Sequence, residues 1–263
     1  MKIAVMQFPG TNCEHETLVS VRTAGMEGEI FRWNRPEQEL SQFDGYIIPG
    51  GFSYQDRVRA GAIASKEPVM DALREEAASG KPIIGICNGF QILVESGILP
   101  VPGEVSMALA QNVMVQGKKI VRRGYYCAWT TLRHEADPGR CAGSFLIDKG
   151  ALLQVPIAHA EGNLVTVRDG LVQEMNDQGQ VVFRYCDWQG RILKEFPVNV
   201  NGSTENIAGI CNPEGNVLGM MPHPERAYFA WQLPSSDPRK KVEAPGPGRM
   251  IFESMKRYIE VSR

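Results

Sequence analysis

The sequence predicts an α/β protein with an open, mainly parallel central sheet, flanking helices and a nucleophile elbow, plus added antiparallel strands in its second half. Three observations support this fold class. Short apolar runs alternate with helical patterns through the first 100 residues, one of these runs passes directly into a helix at Cys87, and strands joined by turns dominate after Pro100. Strands that alternate with helices at this spacing are typical of a parallel sheet with right-handed crossovers.

The first half contains four predicted strands and three predicted helices. Each strand is a short apolar run of the kind that a parallel sheet buries on both faces. Leu18 and Val21 give the first helix its helical spacing, and Gly80 and Gly97 stand where the next two helices end. The predicted strands cover residues 3–7, 28–32, 45–48 and 82–86, and the predicted helices cover residues 14–23, 68–79 and 88–95.

The second half is predicted to consist mainly of strands, because apolar runs are separated by turn sequences such as Asp169-Gly170 and Gln178-Gly179. These strands fit either the edge of the same sheet or a second layer, and the sequence leaves both open. Segment 234–248 is predicted to be a surface loop and residues 249–261 a helix. No clear linker divides the chain, so we expect one domain over residues 1–263. The strands are predicted at residues 113–121, 125–132, 152–157, 164–167, 181–185 and 217–221.

Composition and charge exclude several classes of protein. The 263 residues carry a formal net charge of −2, which gives no electrostatic reason to expect a nucleic-acid partner. Hydrophobic residues make up 43% of the chain, but no apolar run approaches the ~18–20 residues that span a bilayer. The first residues reach Pro9-Gly10 too soon for a signal peptide. We therefore expect a cytoplasmic protein.

The six cysteines are expected to be free thiols, because a long chain without a secretion signal rarely relies on disulfides. No CxxC sequence occurs, and no cysteine pair stands near a histidine pair at zinc-ligand spacing. We expect no metal site. Most buried free cysteines simply pack as small hydrophobic residues.

Cys87 differs from the other cysteines because it lies between a buried strand and a helix, in the pattern G-x-C-x-G formed with Gly85 and Gly89. A strand that turns abruptly into a helix exposes the residue at the turn above the edge of the sheet, as in the nucleophile elbow of hydrolases. The N-terminus of the helix favours the thiolate, which is the nucleophilic form. The alternative is a packing cysteine with two small neighbours.

A cysteine nucleophile needs a base and a group that orients the base. Two His-x-Glu sequences offer both: His159 with Glu161, and His223 with Glu225. Pro222 and Pro224 restrict the backbone of His223, which favours the second pair without excluding the first. His15 and His134 lie in polar sequence and are expected at the surface.

The glycines of Pro49-Gly50-Gly51-Phe52 follow a predicted strand beside the one that leads to Cys87. They allow the backbone to approach a ligand and to present N–H groups to it. In acyl transfer such groups stabilise the tetrahedral oxyanion. We predict an oxyanion hole formed by Gly51, Phe52 and Asn88, the residue after the nucleophile.

These motifs resemble those of the class I, or triad, glutamine amidotransferases. The matching sequences are Gly85–Gln91, written GICNGFQ, and 220–227, written MMPHPERA. PGGFSY at 49–54, RAGAIA at 59–64, PIAHAEG at 156–162 and NIAGICN at 206–212 narrow the resemblance to the glutaminase subunits of phosphoribosylformylglycinamidine synthases. The resemblance extends from Met1 to the last helix.

The resemblance implies that Cys87 attacks the side-chain amide of glutamine, that His223 transfers protons and that Glu225 orients His223. A cysteinyl thioester is then hydrolysed to glutamate. The ammonia passes to a large synthetase partner, where ATP and Mg²⁺ are expected and where formylglycinamide ribonucleotide becomes formylglycinamidine ribonucleotide in purine synthesis. Gln91, His159 and Glu161 are assigned to the glutamine site. Whether a small third subunit joins the complex stays open.

Two observations qualify this hypothesis. The family usually has Gly and an aromatic residue where this chain has Gln55 and Arg57. No G-x-x-x-x-G-K-[ST] sequence occurs, so we expect no cofactor, and no ATP, in this chain.

Two alternative functions stay open. The chain could be a stand-alone cysteine amidase or an inactive binding module. Dependence of the activity on a partner distinguishes a synthase subunit from a stand-alone amidase.

Overall fold

The computed structural model describes residues 1–234 and 243–262, which form thirteen strands, five α-helices and seven short 3₁₀ helices. All six cysteines are free thiols. Among the described residues, no helix combines the length and apolar character needed to cross a bilayer. The strands are β1 Lys2–Gln7, β2 Glu27–Arg32, β3 Gly45–Ile48, β4 Ile83–Ile86, β5 Met107–Gln111, β6 Val113–Gln116, β7 Lys119–Arg123, β8 Tyr126–His134, β9 Leu152–His159, β10 Glu161–Thr166, β11 Val181–Cys186, β12 Ile207–Cys211 and β13 Val217–Met220; the helices are α1 Glu14–Thr23, α2 Val69–Ala78, α3 Asn88–Glu95, α4 Leu171–Asp177 and α5 Arg249–Ser262.

Nine strands form the central sheet in the order β2-β1-β3-β4-β13-β12-β11-β8-β9. The pairs from β2 to β13 are parallel, and those from β13 to β9 are antiparallel. The α/β prediction is therefore confirmed. Of the two arrangements left open for the second half, most of its strands extend the same sheet, whereas β5 pairs with β10 and β6 with β7 in two small separate sheets.

The parallel half follows the apolar pattern of the sequence closely. Ile3, Ala4, Val5 and Met6 of β1 are completely buried, as expected of a strand covered on both faces. All eight residues of α3 are buried as well, so this helix lies inside the molecule. Because β3, β4 and β13 are neighbouring parallel strands, their carboxyl ends meet at one edge of the sheet, where ligands bind in folds of this type.

The prediction of one strand over residues 113–121 is wrong, because this segment forms two strands. β6 and β7 form an antiparallel hairpin, and the chain turns at Gly117, whose φ of 60° lies in the left-handed region that glycine tolerates.

A second correction concerns His134, which was expected at the surface. It is buried, with 1% of its surface exposed, and its Nε2 lies 2.9 Å from Ser144 Oγ. Burial lowers the pKa of His134, which keeps the ring neutral there.

Residues 235–242 of the predicted loop at 234–248 lie outside the described residues. The end of that segment packs against the turn that follows His223. The Gly246 N–H donates to Tyr228 O at 2.7 Å, and the Gly248 N–H donates to Ala227 O at 2.9 Å. These bonds connect the start of α5 to the turn that carries Glu225.

Candidate active site

Cys87 lies at a strained turn between β4 and α3. Its φ of 52° and ψ of −105° fall where a residue with a side chain is rarely found. A Cβ atom on Gly89 would lie 1.9 Å from Ile48 O, and one on Gly85 would lie 2.7 Å from Gly89 O. Only glycine therefore fits at both positions, and the two close approaches hold Cys87 at the edge of the sheet. The pattern G-x-C-x-G has this physical cause.

His223 and Glu225 follow β13, the parallel neighbour of β4. His223 Nδ1 lies 2.5 Å from Glu225 Oε1, and both side chains are almost completely buried. A Cβ on Gly50 would lie 2.6 Å from His223 Cε1 and 3.4 Å from Cys87 Cβ, so the ring and the nucleophile border the same space. His223 Nε2 has no hydrogen-bond partner among the described residues. This nitrogen is available to exchange a proton with Cys87 or with a substrate.

The surroundings of His223 favour its charged form. Burial lowers the pKa of His223, but the charge interactions with Glu225 and then with Cys87 outweigh burial and hold this pKa well above its ordinary value. An imidazolium with a carboxylate on one nitrogen is the partner that a catalytic thiolate needs.

The predicted oxyanion donors are placed at the same edge of the sheet. The Phe52 N–H donates to Gly10 O at 2.9 Å, so it is not available in this structure. The Gly51 N–H donates to no acceptor within residues 1–234 and 243–262, and Asn88 occupies the first position of α3, where a helix offers no acceptor. The Asn88 side chain is fixed because its Oδ1 accepts from the Ser53 N–H at 3.2 Å.

The other predicted site residues belong to a connected polar network. Asn88 Nδ2 donates to Gln91 Oε1 at 2.9 Å, and Gln91 Nε2 donates to the main-chain oxygen of Glu161. Glu161 Oε2 accepts from the Ala60 N–H at 3.0 Å. Gln91 thus joins the elbow to the strand that carries Glu161.

His159 is oriented by Asn112, a residue that sequence reasoning missed. Asn112 Nδ2 lies 3.1 Å from His159 Nδ1 and donates to His159 O at 2.7 Å, and Asn112 Oδ1 accepts from the Gly162 N–H at 2.8 Å. Burial, with the nearby His223, lowers the pKa of His159 to about 3. His159 is therefore neutral, and so low a pKa makes it a poor acceptor for the proton of a thiol.

The segment that follows Gly51 and Phe52 is strained. Tyr54, Gln55, Asp56 and Val58 all have positive φ angles, between 51° and 73°, although none is glycine. Gln55 and Arg57 also line an open cavity of about 380 Å³ beside Gly10 and Tyr54. Such strain persists only where surrounding structure enforces it, and it is common at functional sites.

Replacing Gln55, whose φ is 61°, by glycine is expected to stabilise the protein. The left-handed conformation costs a residue with a Cβ about 1–2 kcal/mol, and part of this gain is offset by the greater entropy of glycine in the unfolded chain. We expect a net gain of about 1 kcal/mol, measured as a rise of roughly 2–4 °C in the melting temperature. Gln55→Ala is the matched control, because it removes the side chain but retains the strain. An equal rise in both variants would contradict this explanation.

A cysteine on a nucleophile elbow, a histidine–carboxylate pair beside it and free N–H groups at the same sheet edge are the parts of a cysteine-dependent acyl-transfer enzyme, in the arrangement of the triad glutamine amidotransferases. The family model of the CobB/CobQ-like glutamine amidotransferase domain matches residues 1–259. The phosphoribosylformylglycinamidine synthase subunit PurQ of Methanothrix thermoacetophila is 72% identical over 263 residues, which cover 100% of both chains. The chain belongs to this family of synthase subunits.

More distant relatives agree. The PurQ subunit of Methanosarcina acetivorans is 42% identical over 260 residues, which cover 98% of both chains. The structure of PurLQS from Thermotoga maritima contains a chain that matches this one with a TM-score of 0.73 at 31% identity, with 98% of each chain covered.

Proposed function

We propose that this chain is the glutaminase subunit of a phosphoribosylformylglycinamidine synthase and that Cys87, His223 and Glu225 are its catalytic residues. The observation that carries the proposal is the buried 2.5 Å contact between His223 and Glu225, on a ring that borders the same space as a cysteine held in a strained elbow. We further propose one domain over residues 1–263 and a cytoplasmic location.

The geometry supports a two-step reaction. Cys87 Sγ, as the thiolate paired with the His223 imidazolium, attacks the side-chain amide carbon of glutamine, and His223 delivers its Nε2 proton to the leaving nitrogen. Ammonia departs and a γ-glutamyl thioester remains on Cys87. His223, now neutral, deprotonates a water molecule that attacks the thioester, and the release of glutamate restores the thiolate and the imidazolium. The N–H groups of Gly51 and Asn88 stabilise the oxyanion of both steps, an effect of about 3 kcal/mol for each donor.

The glutamine site is proposed to contain Glu161, His159 and Gln91, with Asp56 as an addition. Burial and then the Glu161 carboxylate raise the pKa of Asp56 to about 6. Asp56 Oδ1 lies 3.4 Å from Asn88 Nδ2, at the elbow. A cation between Asp56 and Glu161 relieves their repulsion, and the α-ammonium group of glutamine is such a cation. Gln91 and His159 define the walls of the site.

The released ammonia is proposed to reach a large synthetase subunit, where ATP and Mg²⁺ activate the amide oxygen of formylglycinamide ribonucleotide. The relatives support this partnership, because their name is that of a synthase subunit and the Thermotoga maritima structure is one of PurLQS. No cofactor is proposed for this chain.

The test of the proposed function is dependence on the partner. The chain is assayed for glutamate release alone and after addition of its synthetase, the small third subunit, ATP and formylglycinamide ribonucleotide. We expect an increase of at least about tenfold, because coupling between two sites in a complex commonly has this size. Full activity of the chain alone would favour a stand-alone amidase. Failure of Cys87 to react with a glutamine-mimicking alkylator even in the complex would favour an inactive binding module.

A further inference from the structure

A second thiol lies beside the catalytic histidine. Cys13 precedes α1 directly, and only 1% of its surface is exposed. Its Sγ lies 3.3 Å from the position that a Cβ on Gly50 would occupy, and that position is 2.6 Å from His223 Cε1. One ligand atom each from Cys13, His223 and Glu225 lies within 4.8 Å of the others. Cys13 is therefore part of the surroundings of the triad.

Cys13 connects three parts of the site. Its N–H donates to Gly50 O at 3.2 Å, which fixes the strand end that leads to the oxyanion loop. Arg226 Nη2 donates to Cys13 Sγ at 3.1 Å, and the same nitrogen donates to Glu16 Oε1 at 3.1 Å. A movement of the Cys13 side chain would consequently be transmitted to the loop that carries His223.

The charge state of Cys13 suits a supporting role. Burial raises the pKa of Cys13, so the thiol is neutral at physiological pH. A second thiolate would compete with Cys87 for the same imidazolium. Two thiols beside one histidine can serve different roles only if their environments give them different pKa values. The ionisable groups that face His223 are Cys87 from the elbow, Cys13 from the start of α1, Glu225 from its own turn and His159 from β9, with Arg226 behind Cys13.

We propose that Cys13 is a positioning residue, whose neutral thiol supports the charged form of His223 and holds the ring for proton transfer with Cys87. This proposal rests on the proposed glutaminase function and adds a residue that acts through His223, not on the substrate. A metal ion held by Cys13, His223 and Glu225 is the competing explanation of the cluster. The Arg226 guanidinium, 3.1 Å from Cys13 Sγ, is a cation in contact with the first of these ligands and disfavours it.

Cys13→Ala and Cys13→Ser test the proposal in the assembled complex. We expect Cys13→Ala to lower kcat for glutamine about tenfold with KM changed less than about twofold, because the lost interaction serves proton transfer and not binding. The pH dependence of Cys87 alkylation by a glutamine-mimicking chloroketone is the second measurement. The falling part of this profile at high pH is expected to move to lower pH in Cys13→Ala, since the imidazolium loses the polarisable sulfur atom beside it. Cys13→Ser retains a hydroxyl and is expected to keep the wild-type profile and kcat within about threefold.

Analytical gel filtration measures the fraction of each variant that is assembled with the partner, and ammonium-dependent synthesis measures the partner's own activity in the same samples. Cys141→Ala is the matched control, since it removes another buried thiol and is expected to leave the pH profile unchanged. If Cys13→Ala does not assemble, Cys13→Val fills the space without a hydrogen bond and takes its place.

An unmoved fall of the profile at high pH in Cys13→Ala, or an equal loss of kcat in Cys13→Ala and Cys13→Ser, would overturn the positioning role. Inhibition of the wild type by Zn²⁺ at submicromolar concentration that disappears in Cys13→Ser would establish the metal explanation instead. Absence of alkylation at Cys87 in the wild-type complex would refute the proposed function itself, which distinguishes the two failures.

Discussion

In the assembled complex, Cys87→Ala is expected to abolish glutamine-dependent synthesis and to preserve ammonium-dependent synthesis. Removing a nucleophile removes the covalent pathway, and the loss should reach at least about 10⁴-fold in kcat. Ammonia supplied as an ammonium salt does not need the thioester, so the partner's reaction continues. The two rates are measured on the same preparation, with glutamine and with ammonium chloride.

Cys127→Ala is the control for loss of a thiol, because Cys127 is an exposed free thiol on β8. It is expected to keep both activities. Loss of ammonium-dependent synthesis in Cys87→Ala would point to a folding or assembly defect, because Cys87 is buried in a strained turn. Retention of glutamine-dependent synthesis would contradict the assignment of the nucleophile.

Glu225→Gln is expected to lower kcat for glutamine by about 10³- to 10⁴-fold with a smaller change in KM. The carboxylate holds His223 Nδ1 at 2.5 Å and favours the imidazolium, whereas an amide of the same shape provides neither the charge nor a fixed tautomer. The rate of Cys87 alkylation should also begin to fall at a lower pH than in the wild type. The reason is that the Glu225 carboxylate is the strongest of the contributions that raise the pKa of His223. Steady-state kinetics and the alkylation profile measure these two effects.

Glu16→Gln is the control for this variant. Glu16 accepts a hydrogen bond from Arg226, the residue next to Glu225, and has no hydrogen bond with His223. Its replacement is expected to change kcat by less than about threefold, in line with the small energy of exposed ion pairs. Equal losses in Glu225→Gln and Glu16→Gln would show that the charge of the region, not the contact with His223, determines the rate.

The parallel half of the fold and the turn at Cys87 could be predicted from sequence because their signals are local, and the proposed triad could be named because its members lie in recognisable motifs. Buried strands are short apolar runs, and the elbow needs small residues at fixed distances from Cys87, as the approach of Gly89 to Ile48 O explains. Resemblance to the family then selected His223 over His159. The structure supports this selection, since burial and the nearby His223 keep His159 neutral, whereas Glu225 keeps His223 charged.

The antiparallel half was harder to predict because its elements depend on long-range pairing. β5 reads MALAQ, a sequence without β-branched residues, and it becomes a strand only by pairing with β10. α4 begins directly after Gly170, where the sequence predicted a turn between strands. His134 was misplaced for a similar reason: its polar neighbours suggested exposure, but Ser144 satisfies its ring inside the core.

Contacts between distant segments that carry no motif were beyond sequence reasoning. Cys13 and Arg226 are 213 residues apart in the chain, and neither carries a motif that predicts the other. Asn112 lies 47 residues before His159, and the antiparallel pairing of β10 with β5 brings the two side chains together. The strain at Gln55 is likewise visible only in the backbone angles.

The most direct measurement of the central claim is a rapid acid quench of the complex during turnover of isotopically labelled glutamine, followed by peptide mapping. A thiolate that His223 activates must carry the glutamyl group before water removes it. The label is therefore predicted on the peptide that contains Cys87, as an adduct that hydroxylamine releases. Label on any other residue, or production of labelled glutamate without an adduct at Cys87 under conditions that trap thioesters, would contradict the account.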